Sequence, residues 1–388
     1  MQRPKPVLSP VEGGERGIEG PPRARPDDAR FMRMALRLGR RGLGRTSPNP
    51  PVGAVVVARG TVVGRGFHRK AGAAHGEAAA LQAAGARARG ATLYVTLEPC
   101  AHHGRTPPCT AAVIAAGVRR VVIGTRDPNP RVPGNGLRKL RAAGIAVTSG
   151  VLQTECDALI AAFRKHVTTG RPFVTLKLAA SLDGRIATVS GDARWITGAD
   201  SRRYGHRLRA EHDAILVGAE TIIHDDPELT CRVRGGRHPL RVILDGRLRI
   251  PLRARVLTKD APAATLVLTA RPASAKKVRQ VRERGIEVVS LAAKTGRIPI
   301  ARVMQELGER NIMSVLIEGG ATVAAAALAA GVVDRLLVFF APKLIGGDGR
   351  SMLTTLGVRR MRDALALGPL RVKRFAHDIL VATQSSEL

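Results

Sequence analysis

The chain is 388 residues long, room for two domains that each bury a core. Only 3% of its residues are aromatic, so Val, Leu, Ile and Ala must fill those cores. No stretch reaches the roughly eighteen apolar residues that a membrane span needs, and no charged-then-apolar leader marks it for secretion.

The formal charge of +32 raises the question of nucleic acid, because Lys and Arg neutralise phosphates. Here Arg is spread along the whole chain with no localised basic stripe, which reads as a compositional bias laid over an ordinary enzyme. The expected partner is therefore a small anionic substrate, with neither nucleic acid nor membrane. Four Cys (Cys100, Cys109, Cys156, Cys231) do not make a disulfide scaffold. Two of them lie close together after His75, which favours a metal in a reducing, cytoplasmic setting.

Residues 1–26, rich in Pro, Gly, Arg and Glu, read as a disordered tail. Asp27 and Asp28 then cap a helix carrying Phe31, Met32, Ala35, Leu36 and Leu38, which stops between Gly39 and Gly44. VGAVVVA and TVVGRGF follow as adjacent strands turning at Arg59–Gly60. A helical stretch over 76–88 leads to the buried strand ATLYVTL. After it come a helix over 110–117, a strand over 118–124, a helix over 136–143 and a short strand at 145–148. This alternation predicts α/β layering with a largely parallel sheet. A helix over 153–166 runs into the turn-rich Thr168–Pro172, which divides a domain of residues 27–170 from one of 171–388. The second half repeats the α/β rhythm, with strands at 173–179, 213–218, 240–244, 265–269, 286–290, 313–317 and 334–340. It ends in the alternating LRVKRFAHDILVATQ, which suits an antiparallel edge hairpin.

The chemistry sits in the first half. His75-Gly-Glu77 opens a helix, Glu98-Pro99-Cys100 follows a buried strand, and Cys109 comes after the loop AHHGRTPP. One imidazole and two thiolates can hold Zn²⁺ in three tetrahedral positions and leave the fourth for water, whose proton then leaves near neutral pH. Glu77 is placed to carry that proton to a departing amine. The layout is the H-x-E … P-C-x-x-C of zinc nucleobase deaminases, except that eight residues separate the two Cys. A structural zinc site would ask for a fourth ligand, which only His102 or His103 could supply. A tRNA adenosine deaminase-like enzyme would show the short gap and give no reason for residues 171–388.

TLEPCAHHGRTPPC, SPNPPVGAVVV, GFHRKAGAAHGEAAAL and RDPNPRVPGNGLRKLRAAGI together resemble the bifunctional riboflavin-biosynthesis enzyme, a diaminohydroxyphosphoribosylaminopyrimidine deaminase joined to a 5-amino-6-(5-phosphoribosylamino)uracil reductase. The likeness runs from about residue 27 to the C-terminus. It implies a cytidine-deaminase-like α/β/α domain followed by a dihydrofolate-reductase-like α/β domain, zinc in the first and NADPH in the second, and a homo-oligomer. Gly76 departs from the family pattern, which generally has Ala. By the same resemblance Asn49 and His68 line the pyrimidine pocket, and His102, His103 and Arg105 lie where a substrate phosphate could be reached.

SVLIEGGATVAAAAL offers a strand, two Gly and a helix start, a turn whose N–H groups suit a phosphate, but it is not G-x-G-x-x-G. KLAASLDGRIA, DARWITG, HRLRAEHDAILVGAETIIHDDPELTCR and LIEGGATVAAAAL are similar to the family's reductase half. The resemblance implies that Ala179, Trp195, Thr221, Asp225, Gly320, Ala321, Thr322, Val323, Ala324, Ala325 and Ala326 contact NADPH. It implies that Arg209, Leu229 (through its backbone), Arg232 and Glu318 hold the ribose phosphate substrate. Ala193 stands where relatives can carry a hydroxyl, and Gly246 is a weaker correspondence. Lys177 and Asp183 fall near the hydride-transfer centre, with structural pairing equally open for Asp183.

Overall fold

Runs of Val, Ile and Leu bounded by Gly and Pro form the strands of two sheets. The computed structural model describes residues 25–103, 107–130, 134–258, 263–271, 273–293 and 296–384, so of the tail expected over 1–26 residues 1–24 lie outside the described residues, as does Arg105. The first sheet contains β1 (Gly53–Ala58), β2 (Thr61–Phe67), β3 (Thr92–Leu97), β4 (Arg120–Thr125) and β5 (Ala146–Ser149), in the order β2-β1-β3-β4-β5. Arg59 and Gly60 both take positive φ and turn β1 back on β2 as a hairpin. β1 is also antiparallel to β3, and only β3-β4-β5 run parallel. The sheet is therefore mixed rather than largely parallel, because a two-residue turn cannot make a parallel connection.

Two cores flank this sheet. On one face Ala80, Leu81, Ala84, Val113, Leu137 and Leu140 meet Ala54, Val56, Leu93 and Val95. On the other, Phe31, Met32, Ala35 and Leu36 meet Val55, Val57, Tyr94 and Val122. The single helix expected over 153–166 is two, Gln153–Leu159 and Ala161–Thr169. Leu159 belongs to one core and its neighbour Ile160 to the other, so the chain must change face between them. The helix expected over 76–88 stops at Ala84, where Gly85 takes φ 57° and a short 3₁₀ turn follows.

The second half holds β6 (Phe173–Ser181), β7 (Arg185–Ala187), β8 (Ala214–Gly218), β9 (Leu240–Leu244), β10 (Thr265–Ala270), β11 (Glu287–Leu291), β12 (Ser314–Glu318), β13 (Arg335–Ala341), β14 (Arg350–Ser351), β15 (Arg371–Phe375) and β16 (Asp378–Gln384). Nine of these make one sheet in the order β11-β10-β9-β8-β12-β6-β13-β16-β15, parallel from β11 to β13. The terminal strands β16 and β15 pair antiparallel on the edge, as the alternating pattern predicts. β7 and β14 form a separate two-stranded ribbon that the sequence pattern did not reveal. Among the described residues no helix is long and apolar enough to cross a membrane.

Asp28, at the start of the helix Asp28–Gly39, is 1% exposed and receives two hydrogen bonds from the buried Arg120 guanidinium, at 2.8 and 2.7 Å. Tyr94 Oη donates to the same carboxylate at 3.0 Å, and Arg120 also donates to Thr148. Burial pushes the Asp28 pKa up, but Arg120, the Arg25 N–H and Tyr94 more than reverse this and leave it lowered. A depressed carboxylate adds stability that is complete above the ordinary Asp range and is lost as pH falls through the folded pKa. Asp28→Ala leaves the Arg120 charge buried and unpaired, so it should cost about 3–5 kcal/mol by urea unfolding at neutral pH. The deficit should shrink on acidification, and a neutral-pH loss under about 1 kcal/mol would mean the pair is not structural.

Candidate active site

Three elements deliver three ligand atoms to one place. His75 precedes the helix Gly76–Ala84 in extended conformation, Cys100 lies just beyond β3, and Cys109 is the first residue of the helix Cys109–Ala115. His75 Nδ1 is 3.1 Å from Cys109 Sγ and 3.7 Å from Cys100 Sγ, and all three donor atoms lie within 4.8 Å of one another. Tetrahedral Zn–S and Zn–N bonds set donor separations of roughly 3.6–3.8 Å, so the cluster fits a metal. Cys109 N–H donates to Cys100 Sγ at 3.3 Å, which places the Cys100 sulfur at a helix N-terminus. Hydrogen bonding from Cys109, with further help from His75, holds the Cys100 pKa at about 4. The same contact, then burial, drives Cys109 upward. Cys100 raises the His75 pKa against its burial.

Glu77 lies in the first turn of its helix and is 3% exposed. Burial pushes its pKa up to about 7, and its Oε2 is buried without a hydrogen-bond partner. A buried carboxyl left unpaired is costly, and a pKa near neutrality suits a group that both takes and gives a proton. The glycine at position 76 has a packing reason, since a Cβ there would come within 2.7 Å of the Val52 carbonyl.

The cavity above this centre is about 280 Å³ and is lined by Asn49, His68, His75, Glu77, Cys100 and His102, among others. Asn49 Nδ2 lies 3.1 Å from His68 Nε2, while His68 Nδ1 lies 3.0 Å from the Ala74 carbonyl. With Ala74 accepting from Nδ1–H, His68 Nε2 is the acceptor for the Asn49 amide. His68 is 1% exposed, far from the exposed loop position its local sequence resembles, and burial lowers its pKa. His103 is exposed and is not among the cavity-lining residues. Sequence reasoning assigned no role to Glu98, Asp127, Asn129 or Phe163, which also line the cavity. Glu98 accepts from the N–H groups of Asp127, Gly136 and Leu137 at 3.2, 2.9 and 3.2 Å, tying the RDPNP loop to the start of the next helix. Phe163 arrives from the helix Ala161–Thr169, and no local signal connects it with the metal motif.

In the second half, Arg209 and Glu318 come together. Arg209 Nε and Nη2 donate to Glu318 Oε2 at 3.0 and 2.6 Å, and Nη1 donates to the Thr230 carbonyl at 3.1 Å. Thr230 adjoins Leu229, whose φ is 55°. Glu318 Oε1 is buried without a partner. Lys177 is the cross-strand neighbour of Glu318, and burial lowers its pKa against the pull of that carboxylate. Arg232 lies at the surface, paired with Glu228 at 3.1 Å. Ala179 sits in β6 beside Lys177 and Ala180.

Gly319 and Gly320 both take positive φ and lead into the helix Ala321–Ala329, which carries Thr322 to Ala326. A Cβ on either glycine would face Thr221, at 3.5 and 3.4 Å from Oγ1, so Thr221 borders the turn. Asp225 ends the helix Ala219–Asp225, and its carbonyl accepts from Arg194 at 2.8 Å. Trp195 is exposed, with the Arg202 guanidinium 4.7 Å over its ring. Asp183 is at the surface rather than in a buried pair. It accepts from Ser181 Oγ at 2.6 Å and from the Gly346 N–H at 2.8 Å, pinning the loop after β13, and the Ser181 bond helps bring its pKa down to about 2. Gly246 follows Asp245, which caps a turn by accepting from the Ile250 N–H at 2.8 Å.

Residues 25–125 match the family described as the cytidine and deoxycytidylate deaminase zinc-binding region, and residues 172–381 match the RibD C-terminal domain. The riboflavin biosynthesis protein RibD of Aquifex aeolicus is 44% identical, covering 91% of this chain and 97% of its own. That of Escherichia coli is 42% identical over 87% of this chain and 94% of its own. Among solved structures, Acinetobacter baumannii RibD superposes with a TM-score of 0.83 at 39% identity, over 92% of this chain and 98% of that one. The Thermotoga maritima diaminohydroxyphosphoribosylaminopyrimidine deaminase/5-amino-6-(5-phosphoribosylamino)uracil reductase gives 0.81 at 39%, with the same coverage. The chain is thus similar to these relatives along nearly their whole length, and it belongs to the RibD family of bifunctional deaminase–reductases of riboflavin biosynthesis.

Proposed function

We propose that the half from residue 27 to 170 deaminates 2,5-diamino-6-ribosylamino-4(3H)-pyrimidinone 5′-phosphate and that residues 171–388 reduce its ribose to the ribityl chain with NADPH. The observation that carries the first step is the buried, unpartnered Glu77 Oε2 beside the His75–Cys100–Cys109 cluster. His75, Cys100 and Cys109 are the residues that would hold zinc, which when bound supplies the Lewis acidity that makes a water nucleophilic near neutral pH. Glu77 takes the proton of the attacking water and returns it to the exocyclic amine, so water is consumed, a carbonyl forms and ammonia leaves. Asn49, its amide NH₂ engaged by His68, has Oδ1 left to accept from an N–H on the base edge.

In the reductase half, the turn at Gly319–Gly320, the helix start over Ala321–Ala326, Thr221, Asp225, Ala179 and Trp195 form the proposed cradle for NADPH, which supplies the hydride. The two positive-φ glycines keep side chains off the turn, and the first N–H groups of the following helix suit a phosphate. Arg209, oriented by Glu318, and Arg232 grip the substrate phosphate together with the Leu229 backbone. Glu318 Oε1, having no protein partner, is left for a sugar hydroxyl. Homo-oligomerisation is assigned to this half, where Met361, Leu365, Leu367 and Leu370 are exposed beside the edge strand β15. All four cysteines are free thiols, which suits the proposed cytoplasmic setting.

Glu77→Gln keeps the shape and removes the proton carrier. Ammonia release from the diamino substrate should fall by at least about 10²–10⁴-fold, while NADPH oxidation on the deaminated compound stays within twofold. Equal loss of both activities would sink the assignment. Chelation of zinc, or Cys109→Ser with metal content read by mass spectrometry, should abolish deamination and spare reduction. Arg209→Ala should raise KM for the phosphorylated reductase substrate about 10–100-fold, the value of a charge-assisted bond, with little change in KM for NADPH. An unchanged substrate KM would remove Arg209 from the phosphate site.

A further inference from the structure

The turn that carries Asn49 is held from outside its own half. Asn49 N–H donates to the Thr46 carbonyl at 2.7 Å, closing Thr46–Asn49 into one unit. Within that turn Ser47 Oγ donates to Asp213 Oδ1 at 2.6 Å. Asp213 lies between the helix Ala199–Glu211 and β8, in the reductase half, and is 5% exposed. Its other oxygen accepts from the N–H groups of Met313 and Ser314, both at 3.0 Å, and from Ser314 Oγ at 3.1 Å. The carboxylate is thus fixed by the start of β12, and Arg237 Nη2 stands 3.4 Å from Oδ1.

Two neighbouring contacts seat the same segment. Arg45 Nη2 donates to the Gly235 carbonyl. Gly44, at φ 67°, lies so close to the reductase half that a Cβ would fall 2.1 Å from the Ala210 carbonyl. On the far side of the turn, Asn49 reaches His68 and the cavity.

We infer that Ser47 and Asp213 are positioning residues for deamination, through which the reductase half fixes the pyrimidine-recognition turn of the deaminase. The inference rests on the reading of Asn49 as a base-contacting residue. A hydroxyl hydrogen-bonded to an immobilised, buried carboxylate sets where the turn sits. Losing it lets Asn49 drift from a contact made in ground state and transition state alike, which raises KM rather than lowering kcat.

The test uses full-length, zinc-loaded protein. Ser47→Ala should raise KM for ammonia release from the diaminopyrimidinone substrate about tenfold and leave kcat within about threefold. Ser47→Thr, which keeps the hydroxyl, should restore most of the affinity, and NADPH oxidation on the deaminated compound should be unchanged in both. Gly44→Ala, which wedges the same junction, should raise the same KM. A Ser47→Ala KM within twofold of the parent would overturn the inference, as would deaminase and reductase rates falling together with a lowered Tm. Asn49→Ala separates the two readings. If it raises KM while Ser47→Ala does not, the inference alone fails; if it is silent, the Asn49 assignment fails and takes the inference with it.

Discussion

The helix Gly76–Ala84 lies on the β1–β2 hairpin backbone to backbone, and the position of the deaminase centre follows from that approach. A Cβ on Gly64 would stand 2.2 Å from the Ala80 carbonyl, and one on Gly66 would stand 2.4 Å from the Ala80 nitrogen. No side chain larger than hydrogen fits at either place without moving the helix. With the helix held this close, His75 directly before it stands 3.1 Å from Cys109 Sγ and 3.7 Å from Cys100 Sγ. His75 and Glu77 therefore reach the sulfurs without long or flexible connections. The small residues of GEAAALQAA serve the same end, since their bulk sets the distance between the layers.

The electrostatics of the centre follow from this crowding. Two thiols, an imidazole and a carboxyl are brought together out of water, and they cannot all carry their preferred charge. The N–H at a helix start and the neighbouring groups favour charge on Cys100, while burial and neighbouring sulfur disfavour it on Cys109 and burial disfavours it on Glu77. A divalent cation with thiolate affinity resolves that conflict, since it favours thiolate at both sulfurs and a neutral imidazole. The unpartnered Glu77 oxygen is not resolved by any protein donor, which is the condition expected of a group whose partner is a water or a substrate proton.

Most of the strand and helix pattern was legible because the relevant signals are local. His75, Cys100 and Cys109, which the structure brings together, and Glu77 stand in a motif whose residue types allow few other uses. What was not legible depended on distant contacts. The antiparallel pairing of β1 with β3 is decided by which edge remains free after the hairpin forms. The break at Ile160 appears only when two cores compete for consecutive residues. His68 looks like a loop residue until the Ala74 carbonyl and Asn49 enclose it. Asp213 reads as the first residue of a strand, and Ser47 as turn chemistry, because the 2.6 Å bond between them joins positions far apart in sequence. The pairing of Arg209 with Glu318 was equally hidden, because it joins residues 109 positions apart.

The overall charge of +32 is a poor guide to the site. The described residues that line the deaminase cavity include Glu77, Glu98 and Asp127, and neither Lys nor Arg is among them. Burial raises the pKa of Asp127, with the nearby Glu98 charge adding to the effect. In the reductase half the balance differs, since Lys177 and Arg209 both neighbour the one carboxylate of Glu318 and help hold its pKa down against burial. The two halves therefore differ in the local charge that they present, and neither follows from the total of +32.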